Sequence, residues 1–292
     1  MDLTNYAEVT ALLERHGFRF SKSLGQNFLT AAWVPERIAE EAGLTRDDCV
    51  LEVGPGVGCL TAALSDRAGK VVSLELDRRL ESVLKETLAG RDNVEVIFAD
   101  AGKTDLKKLC KLKGPDRPWK VCANLPYNVT TPLLTAFLKA GCFESVTVMV
   151  QKEVAERLCA RPGTGEYGAF TLLVQWYARP ELLFEVPPIC FVPQPKVTSA
   201  VVRLERLAER PVPVKDEELF FRTVRAAFNQ RRKTLSNALR SAFPGLDREA
   251  LNAALEELGL SVTVRGEALS LAQFAALSDA LYDMRKEEFT NG

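Results

Sequence analysis

The stretch VLEVGPGVG (Val50–Gly58) decides the fold of this chain. An apolar, strand-like run precedes a turn that contains three glycines, and a helix-like segment follows the turn. Glycines let a ligand approach the backbone closely, and the first N–H groups of the following helix have no partner within that helix. The stretch therefore predicts a strand–turn–helix unit with a nucleotide site at the turn, although a tight turn without any ligand also contains glycines.

Short apolar strands alternate with helical stretches from about residue 47 to residue 205. This alternation predicts a mostly parallel sheet with helices on both faces. The predicted strands of this part are Cys49–Val53, Lys70–Leu76, Val94–Ala99, Lys120–Asn124 and Ser145–Gln151. The predicted helices are Gly58–Asp66, Arg78–Ala89, Thr104–Leu112 and Thr131–Lys139. Two later strands, Leu182–Val186 and Ser199–Leu204, are expected to form an antiparallel edge.

A change of composition marks a second domain. The segment ERPVPVKD, from Glu209, contains two prolines and is typical of a linker. Helical patterns follow it over Asp216–Asn229, Thr234–Ala242, Asp247–Leu258 and Ser270–Lys286. We therefore predict an α/β domain over residues 1–208 and a small all-α domain over residues 209–292.

Composition excludes several classes of protein. With 292 residues, 47% of them apolar and 26% charged, the chain can bury a full core. It has no apolar run long enough to cross a bilayer and no signal peptide, so we expect a cytoplasmic protein without a membrane partner. Seven cysteines without a C-x-x-C pair and a single histidine, His16, argue against disulfides, a metal site or a histidine triad. His16 is expected to lie on the surface or to cap a helix.

The net charge of −1 hides segregated charges. Basic residues collect at Arg15–Lys22, Lys103–Lys120 and Arg222–Arg240, whereas acidic residues dominate 36–48 and 247–257. Local patches decide whether a phosphate backbone is attracted, so nucleic acid remains a possible partner.

Two acidic residues follow the second and third predicted strands. Glu75 lies about 20 residues beyond the glycine turn, where a carboxylate can accept hydrogen bonds from both ribose hydroxyls of a nucleotide. NAD enzymes share this feature, but Pro55 removes a donor that a pyrophosphate needs, and acidic residues suit a sulfonium better. Asp100 can accept a hydrogen bond from an adenine amino group or, alternatively, cap a helix.

The fourth strand ends in Asn124-Leu125-Pro126-Tyr127 at the same edge of the sheet. An adenine N6 amine is a poor nucleophile because its lone pair is delocalised into the ring. The Asn124 side-chain oxygen and a backbone carbonyl held by Leu125-Pro126 can accept from the amine and free that lone pair. Tyr127 can stack on the base, which stabilises an extruded base by roughly 1–3 kcal/mol. The structural alternative is a proline turn beside a core tyrosine.

The sequence resembles the rRNA adenine N6,N6-dimethyltransferase family, specifically its bacterial members that act on small-subunit rRNA. The resemblance rests on segments spread over nearly the whole chain. They are SLGQNFL (Ser23–Leu29), LEVGPGVGCLT (Leu51–Thr61), LELD (Leu74–Asp77), FADA (Phe98–Ala101), NLPYNVTTPLL (Asn124–Leu134), MVQKEVAERL (Met149–Leu158), EYGAFTLLVQ (Glu166–Gln175), FVPQPKVTSAVVRL (Phe191–Leu204) and AFNQRRKTLSNAL (Ala227–Leu239). The resemblance implies a Rossmann-like class I methyltransferase sheet and S-adenosylmethionine as cofactor.

The resemblance also implies roles for individual residues. The cofactor-binding residues it implies are Asn27, Leu29, Gly54, Gly56, Glu75, Asp100 and Asn124. Phe191 matches an aromatic residue that stacks on the target base opposite Tyr127, so the implied catalytic residues are Asn124, Leu125, Pro126, Tyr127 and Phe191. Because the helical domain of the family contacts rRNA, the implied RNA-binding residues are Arg222, Arg225, Arg231, Arg232 and Lys233, and Lys196 either contacts phosphate or is solvated.

The implied function is dimethylation of two adjacent adenosines in the 3′-terminal hairpin of 16S rRNA, in a 30S assembly intermediate, by a monomeric enzyme. One alternative is an erythromycin-resistance-type methyltransferase of 23S rRNA, which shares the catalytic motif. A second is a ribosome-assembly factor that keeps the fold without catalysis. A third, an NAD-dependent oxidoreductase, has no evident proton donor beside the glycine turn.

Overall fold

The structure, a computed structural model, describes residues 1–18, 27–115 and 117–290, with side chains described as far as residue 284. Residues 19–22 of the first basic group and residues 23–26 of the SLGQNFL segment lie outside these ranges. The described chain divides into two compact units. The first comprises Met1–Ala155 and Ala178–Arg206, and the second comprises Glu156–Tyr177 and the chain from Leu207 onward.

The first unit is built on a seven-stranded sheet, counted over the described residues. In chain order the strands of this unit are β1 (Phe28–Leu29), β2 (Cys49–Val53), β3 (Lys70–Glu75), β4 (Val94–Phe98), β5 (Trp119–Asn124), β6 (Phe143–Gln151), β7 (Ala178–Val186), β8 (Phe191–Val192) and β9 (Ser199–Arg206). The order in the main sheet is β4-β3-β2-β5-β6-β9-β7. Neighbours from β4 to β6 run parallel, and β9 is antiparallel to both β6 and β7. The predicted mostly parallel sheet with an antiparallel edge is confirmed.

Helices cover the sheet, and its strands are apolar because they pack against these helices. They are α1 (Tyr6–Arg15), α2 (Trp33–Glu41), α3 (Cys59–Ser65), α4 (Glu81–Thr87), α5 (Leu106–Lys113) and α6 (Thr130–Ala140). All five residues of β2 are buried, as expected for a parallel strand with both faces covered. Val34 and Ile38 of α2 and Leu60 of α3 belong to the same apolar core as Val50. Helices α1 and α2 precede the segment for which helices were predicted.

The second unit is helical. Helix α7 (Lys152–Leu158) leads into it, and it contains α8 (Ala169–Tyr177), α9 (Glu217–Asn229), α10 (Leu235–Ala242), α11 (Arg248–Glu257) and α12 (Leu271–Thr290). Asp216 begins α9 by accepting a hydrogen bond from Leu219 N at 3.0 Å, which satisfies one of the free donors of a helix start. The predicted all-α character of the C-terminal part is confirmed.

The division into units differs from the predicted domains 1–208 and 209–292 in one segment. The predicted boundary lies two residues from Arg206, but residues 156–177 belong to the helical unit and not to the α/β unit. The physical reason is packing. Trp176 is 1% exposed and stacks on Phe220 with ring centroids 4.5 Å apart, so α8 completes the helical core. The shift of composition at Glu209 marks only the second place where the chain enters this unit.

Two expectations from composition can be compared with the structure. All seven cysteines are free thiols, and five of them are buried, as small apolar residues are. His16 caps the end of α1, as expected, because its backbone N–H donates to Leu12 O at 3.1 Å. Its Nε2 lies 2.8 Å from Glu86 Oε2. Among the described helices, none is long and apolar enough to span a bilayer.

Candidate active site

The parallel strands bring the predicted site residues to one edge of the sheet. Gly54, Asp100 and the segment after Asn124 follow the carboxyl ends of β2, β4 and β5, and Glu75 is the last residue of β3. A cavity of about 210 Å³ opens at this edge. The predicted residues that line it are Asn27, Leu29, Gly54, Gly56, Glu75, Asp100, Asn124, Leu125, Pro126 and Tyr127. In open α/β sheets this edge is where ligands bind.

The glycine turn leaves room for the segment that covers the cavity. Gly56 has a φ of +59°, a conformation that residues with a side chain rarely adopt. A Cβ at this position would lie 2.9 Å from Cε1 of Phe28. Gly56 is therefore required both by the backbone conformation and by the close approach of the Phe28 ring, which itself lines the cavity.

Glu75 is tied to the glycine turn. Its Oε1 accepts a hydrogen bond from Asp77 N at 2.7 Å, and its Oε2 lies 3.4 Å from Gly56 N. Burial raises the pKa of Glu75, and the two backbone donors offset part of this effect. The long Gly56 contact is weak, so Oε2 keeps the capacity to accept from ligand hydroxyl groups.

Asp100 lies at the outer side of the same cavity. Its Oδ1 accepts a hydrogen bond from Gly102 N at 2.9 Å, and its Oδ2 lies 3.6 Å from Lys103 Nζ. Asp100 does not cap α5, because the N-cap of this helix is Asp105, whose side chain accepts a hydrogen bond from Lys108 N at 3.0 Å. One carboxylate oxygen stabilises the turn after β4, while the side chain also lines the cavity.

The segment Asn124–Tyr127 is fixed at several points. Leu125 N donates to Met149 O of β6 at 3.1 Å, and the Thr130 hydroxyl donates to Pro126 O at 3.1 Å. Asn124 Nδ2 donates to Asn27 O at 3.3 Å. Because the amide nitrogen faces Asn27, the amide oxygen of Asn124 is left as the acceptor for a ligand.

Phe191 is not brought into the cavity with the other predicted catalytic residues. Strand β8 pairs with β1, so that Phe191 lies opposite Leu29. The Phe191 side chain is 0% exposed and belongs to the apolar core of the unit. The Phe191 ring is enclosed by the β1–β8 pair and the apolar core. In this arrangement it therefore cannot stack on a base in the cavity, as the resemblance implied.

The predicted RNA-binding residues fall into two groups. Lys196 of the first unit and Arg225, Arg232 and Lys233 of the second are exposed, and no hydrogen bond or ion pair of their side chains is seen in the described part of the chain. Arg231 instead holds its own unit together. It donates to Gly165 O at 3.0 Å and to Tyr167 O at 3.1 Å, and it pairs with Glu267 at 3.4 Å.

Arg222 also makes contacts within the helical unit. Its Nη2 donates to Ala242 O at 3.0 Å, and its guanidinium lies 4.5 Å from the Phe243 ring centroid. The sequence gives no sign of these contacts, because they join residues about 20 positions apart.

Several residues near the site were not singled out in the sequence. Val129, Pro132 and Leu133 line the cavity, and the hydroxyl of Ser199 lies 2.7 Å from that of Tyr127. The first three could have been predicted to lie near the site, because they follow the predicted catalytic motif closely and lie at or near the start of α6. For Ser199 no such signal exists, because it lies 72 residues from its partner.

The fold and the site together define a class I methyltransferase. Over 87% of this chain and 99% of the other, the structure is similar to that of the 23S rRNA methyltransferase ErmE, with 31% identity and a TM-score of 0.67. It is also similar to a dimethyladenosine transferase from Plasmodium falciparum, with 26% identity and a TM-score of 0.72 over 89% of this chain and 98% of that one.

Residues 17–281 match the sequence model described as ribosomal RNA adenine dimethylase, and the chain belongs to that family. It is 48% identical to ribosomal RNA small subunit methyltransferase A of Clostridium perfringens (strain SM101 / Type A), over 96% of this chain and 98% of that protein. It is 45% identical to the protein of the same name from Streptococcus pneumoniae (strain CGSP14), again over 96% and 98%. The resemblance inferred from the motifs is confirmed.

Glu52, a buried carboxyl residue two positions before the glycine turn, is not among the predicted site residues. Glu52 of β2 is 1% exposed, and its Oε2 accepts hydrogen bonds from the hydroxyls of Thr61 and Ser73, each at 2.6 Å. Burial raises the pKa of Glu52 from 4.5 to about 7, although both hydroxyls favour the ionised form. Glu52 thus connects β2, α3 and β3 next to the glycine turn.

We predict that Glu52→Gln changes how stability depends on pH. A carboxyl group whose pKa is higher in the folded state holds its proton better when folded, so its contribution to stability is lost as pH rises from 4.5 to about 7. Glutamine keeps an acceptor oxygen and has no charge. The free energy of unfolding of Glu52→Gln relative to the parent protein should therefore rise by about 3 kcal/mol between mildly acidic and mildly alkaline pH, measured by denaturant unfolding.

The matched control is Glu81→Gln. The ion pair of Glu81 with Lys85 lowers the pKa of this carboxyl, so the control should show no such gain at higher pH. An identical stability difference for Glu52→Gln at both pH values would contradict the effect of burial on this group.

Proposed function

We propose that the protein transfers methyl groups from S-adenosylmethionine to N6 of two adjacent adenosines in the 3′-terminal hairpin of small-subunit (16S) rRNA, giving N6,N6-dimethyladenosine. The observation that carries the proposal is the position of Asn124–Tyr127. It shares one cavity with the glycine turn, Glu75 and Asp100, and the Asn124 amide nitrogen is already committed to Asn27. The choice of small-subunit rRNA rests on the relatives of that name, which are 45–48% identical to this chain.

The cavity suits the proposed cofactor. The turn at Gly56 has no side chain to obstruct it, and the carboxylates of Glu75 and Asp100 face an otherwise largely apolar lining. Glu75 is positioned to accept from ribose hydroxyls and Asp100 from an adenine amino group, while Leu29 of β1 and the preceding Asn27 line the cavity from another side. When bound, S-adenosylmethionine supplies an electrophilic methyl group on a cationic sulfur, which becomes a neutral thioether after transfer.

The catalytic contribution of this chain is to make an aromatic amine nucleophilic. The Asn124 oxygen and a backbone carbonyl at Leu125 accept hydrogen bonds from the N–H groups of the amine and so draw its nitrogen toward tetrahedral geometry. When N6 bonds to the methyl group, it releases one proton to water. Pro126 restricts the backbone at this point, and Thr130 holds its carbonyl. The oxygen of Asn124 is preorganised for this role, because turning the amide over would sacrifice the bond to Asn27.

Tyr127 is the aromatic surface proposed for the target base. Its ring lines the cavity, and base–aromatic stacking is worth roughly 1–3 kcal/mol. Phe191 was expected to stack from the opposite side. We propose that in the arrangement described here it supports Leu29 from within the core, since the two residues are register partners.

Binding of rRNA is assigned to exposed basic side chains. Arg225, Arg232 and Lys233 of the helical unit are the strongest candidates, because their charges are not neutralised by described neighbours. Lys196 is exposed on the α/β unit. We propose that the protein acts as a monomer in the cytoplasm on a 30S assembly intermediate, without a metal ion.

A second candidate function is methylation of 23S rRNA, which is favoured by the similarity to ErmE at 31% identity. The two functions differ in substrate, not in the chemistry of the site. The higher identity to small-subunit methyltransferases, over nearly the full length of both chains, supports the first.

We predict that the purified protein labels small ribosomal particles and not large ones. Immature 30S and 50S particles are incubated with methyl-labelled S-adenosylmethionine, and the modified nucleosides are mapped. The expected product is N6,N6-dimethyladenosine at two adjacent positions of the 3′-terminal hairpin in 30S alone. Asn124→Ala should abolish transfer because the acceptor for the amine is lost, while rRNA binding persists. Label in 50S alone, or in neither particle, would contradict the proposal.

We predict that the variant Arg232→Gln/Lys233→Gln weakens rRNA binding and flattens its salt dependence. Removing two phosphate contacts should reduce the slope of log affinity against log salt by roughly 1.5, measured by filter binding over a salt series. Arg248→Gln is the control, since Arg248 is exposed in the same unit but lies between Asp247 and Glu249. If both variants keep the parent slope, the patch is ordinary solvated surface.

A further inference from the structure

A hydrogen bond holds the phenol of Tyr127 from behind. Tyr127 Oη lies 2.7 Å from Oγ of Ser199, the first residue of β9. Ser199 is 0% exposed, whereas Tyr127 is half-buried and presents its ring to the cavity. Tyr127 thus lines the cavity while its hydroxyl is attached to the interior of the sheet.

Ser199 has little freedom to move. Its backbone is paired on both sides, with Gln151 of β6 and with Val186 of β7. A residue that is paired on both sides and wholly buried holds its hydroxyl at a fixed point. The contact with Tyr127 therefore joins the first residue of the short 3-10 helix after β5 to a rigid element.

Strand β6, which pairs with Ser199, also holds the start of the segment Asn124–Tyr127. Strand β6 pairs with Ser199 through Gln151, and its Met149 accepts the hydrogen bond from Leu125 N. Asn124 is also the register partner of Met149. The partners of Asn124 and Ser199 on β6, Met149 and Gln151, are consequently two residues apart on one strand.

We propose that Ser199 is a positioning residue that sets the orientation of the Tyr127 ring, and through it the position of the target adenine relative to Asn124. The inference rests on the proposed stacking of the base on Tyr127. Without the Ser199 hydroxyl the ring rotates more freely about its Cα–Cβ bond, and fewer bound bases reach the reactive geometry. Burial raises the pKa of the Tyr127 phenol, so the group remains neutral and can donate to or accept from Ser199.

The test is a double-mutant cycle with Ser199→Ala and Tyr127→Phe. Both variants remove the same hydrogen bond, and Tyr127→Phe keeps the stacking ring. Each single variant should lower kcat for methylation of 30S particles by roughly two- to tenfold, the range of one neutral hydrogen bond. The double variant should be no slower than the slower single variant, and KM for S-adenosylmethionine should be unchanged in all three.

Ser145→Ala is the matched control. Ser145 lies at the other end of the same β6–β9 ladder, opposite Glu205, and no hydrogen bond of its side chain is seen in the described part of the chain, so the kcat of the variant should equal that of the parent. A Ser199→Ala enzyme with parental kcat, or a double variant whose loss is the product of the two single losses, would overturn the positioning role. A raised KM for S-adenosylmethionine in Ser199→Ala would overturn it as well, since that is the effect of a general loosening of the unit.

Tyr127→Ala separates this inference from the proposed function. If Tyr127→Ala loses transfer while Ser199→Ala does not, stacking stands and positioning by Ser199 fails. If Tyr127→Ala transfers methyl groups as well as the parent does, the stacking role itself fails, and the positioning role falls with it.

Discussion

The parallel pairing of the four strands β2, β3, β4 and β5 is the constraint on which the rest of the site depends. Parallel strands place all their carboxyl ends at one edge, so residues separated by 20 to 70 positions in sequence meet there. The glycine turn, Glu75, Asp100 and the Asn124 motif each follow or end one of these strands. The proposed cofactor-binding and catalytic residues therefore come from single short segments at the same edge, each held by a strand of the sheet.

A second constraint joins the site to the segment that covers it. The carbonyl of Asn27 accepts from the Asn124 amide, and β1 is held in place by pairing with β8. The cover thus contacts both the glycine turn, through Phe28, and the proposed acceptor for the amine.

Polar groups below this edge come at a cost in stability. Glu52 and Glu75 are buried carboxyl groups, and burial raises the pKa of both. Glu52 receives two hydroxyl hydrogen bonds, yet one of its oxygens lacks a described partner. Such groups are tolerated where they hold a turn in the geometry that a ligand needs.

The sheet was predictable from sequence because each predicted strand is a short, largely apolar run ended by a turn or a polar residue. All predicted strands are present, and their ends differ by at most a few residues. The edge residues Gly54, Glu75 and Asn124 were likewise predictable, because position relative to a strand end requires only local pattern. The family resemblance supplied Asn27 and Leu29, which line the cavity although no local pattern marks them.

Features that depend on long-range packing were not predictable. Residues 156–177 belong to the helical unit because of Trp176, and a single tryptophan gives no indication of its partner. Arg231 has the same charge as Arg232, yet only the first binds carbonyl groups of a neighbouring loop. Ser199 and Tyr127 are 72 residues apart, so only the fold shows that they touch.

The orientation of the Asn124 amide is the claim at the centre of the proposed chemistry. The orientation can be observed in a crystal structure of the protein with S-adenosylhomocysteine and adenosine. The resolution should be about 1.2 Å or better, because hydrogens become visible only near that limit. We predict that Oδ1 of Asn124 lies within hydrogen-bond distance of adenine N6 while Nδ2 donates to the Asn27 carbonyl. An amide turned the other way, with Nδ2 toward the adenine, would contradict the proposed activation of the amine.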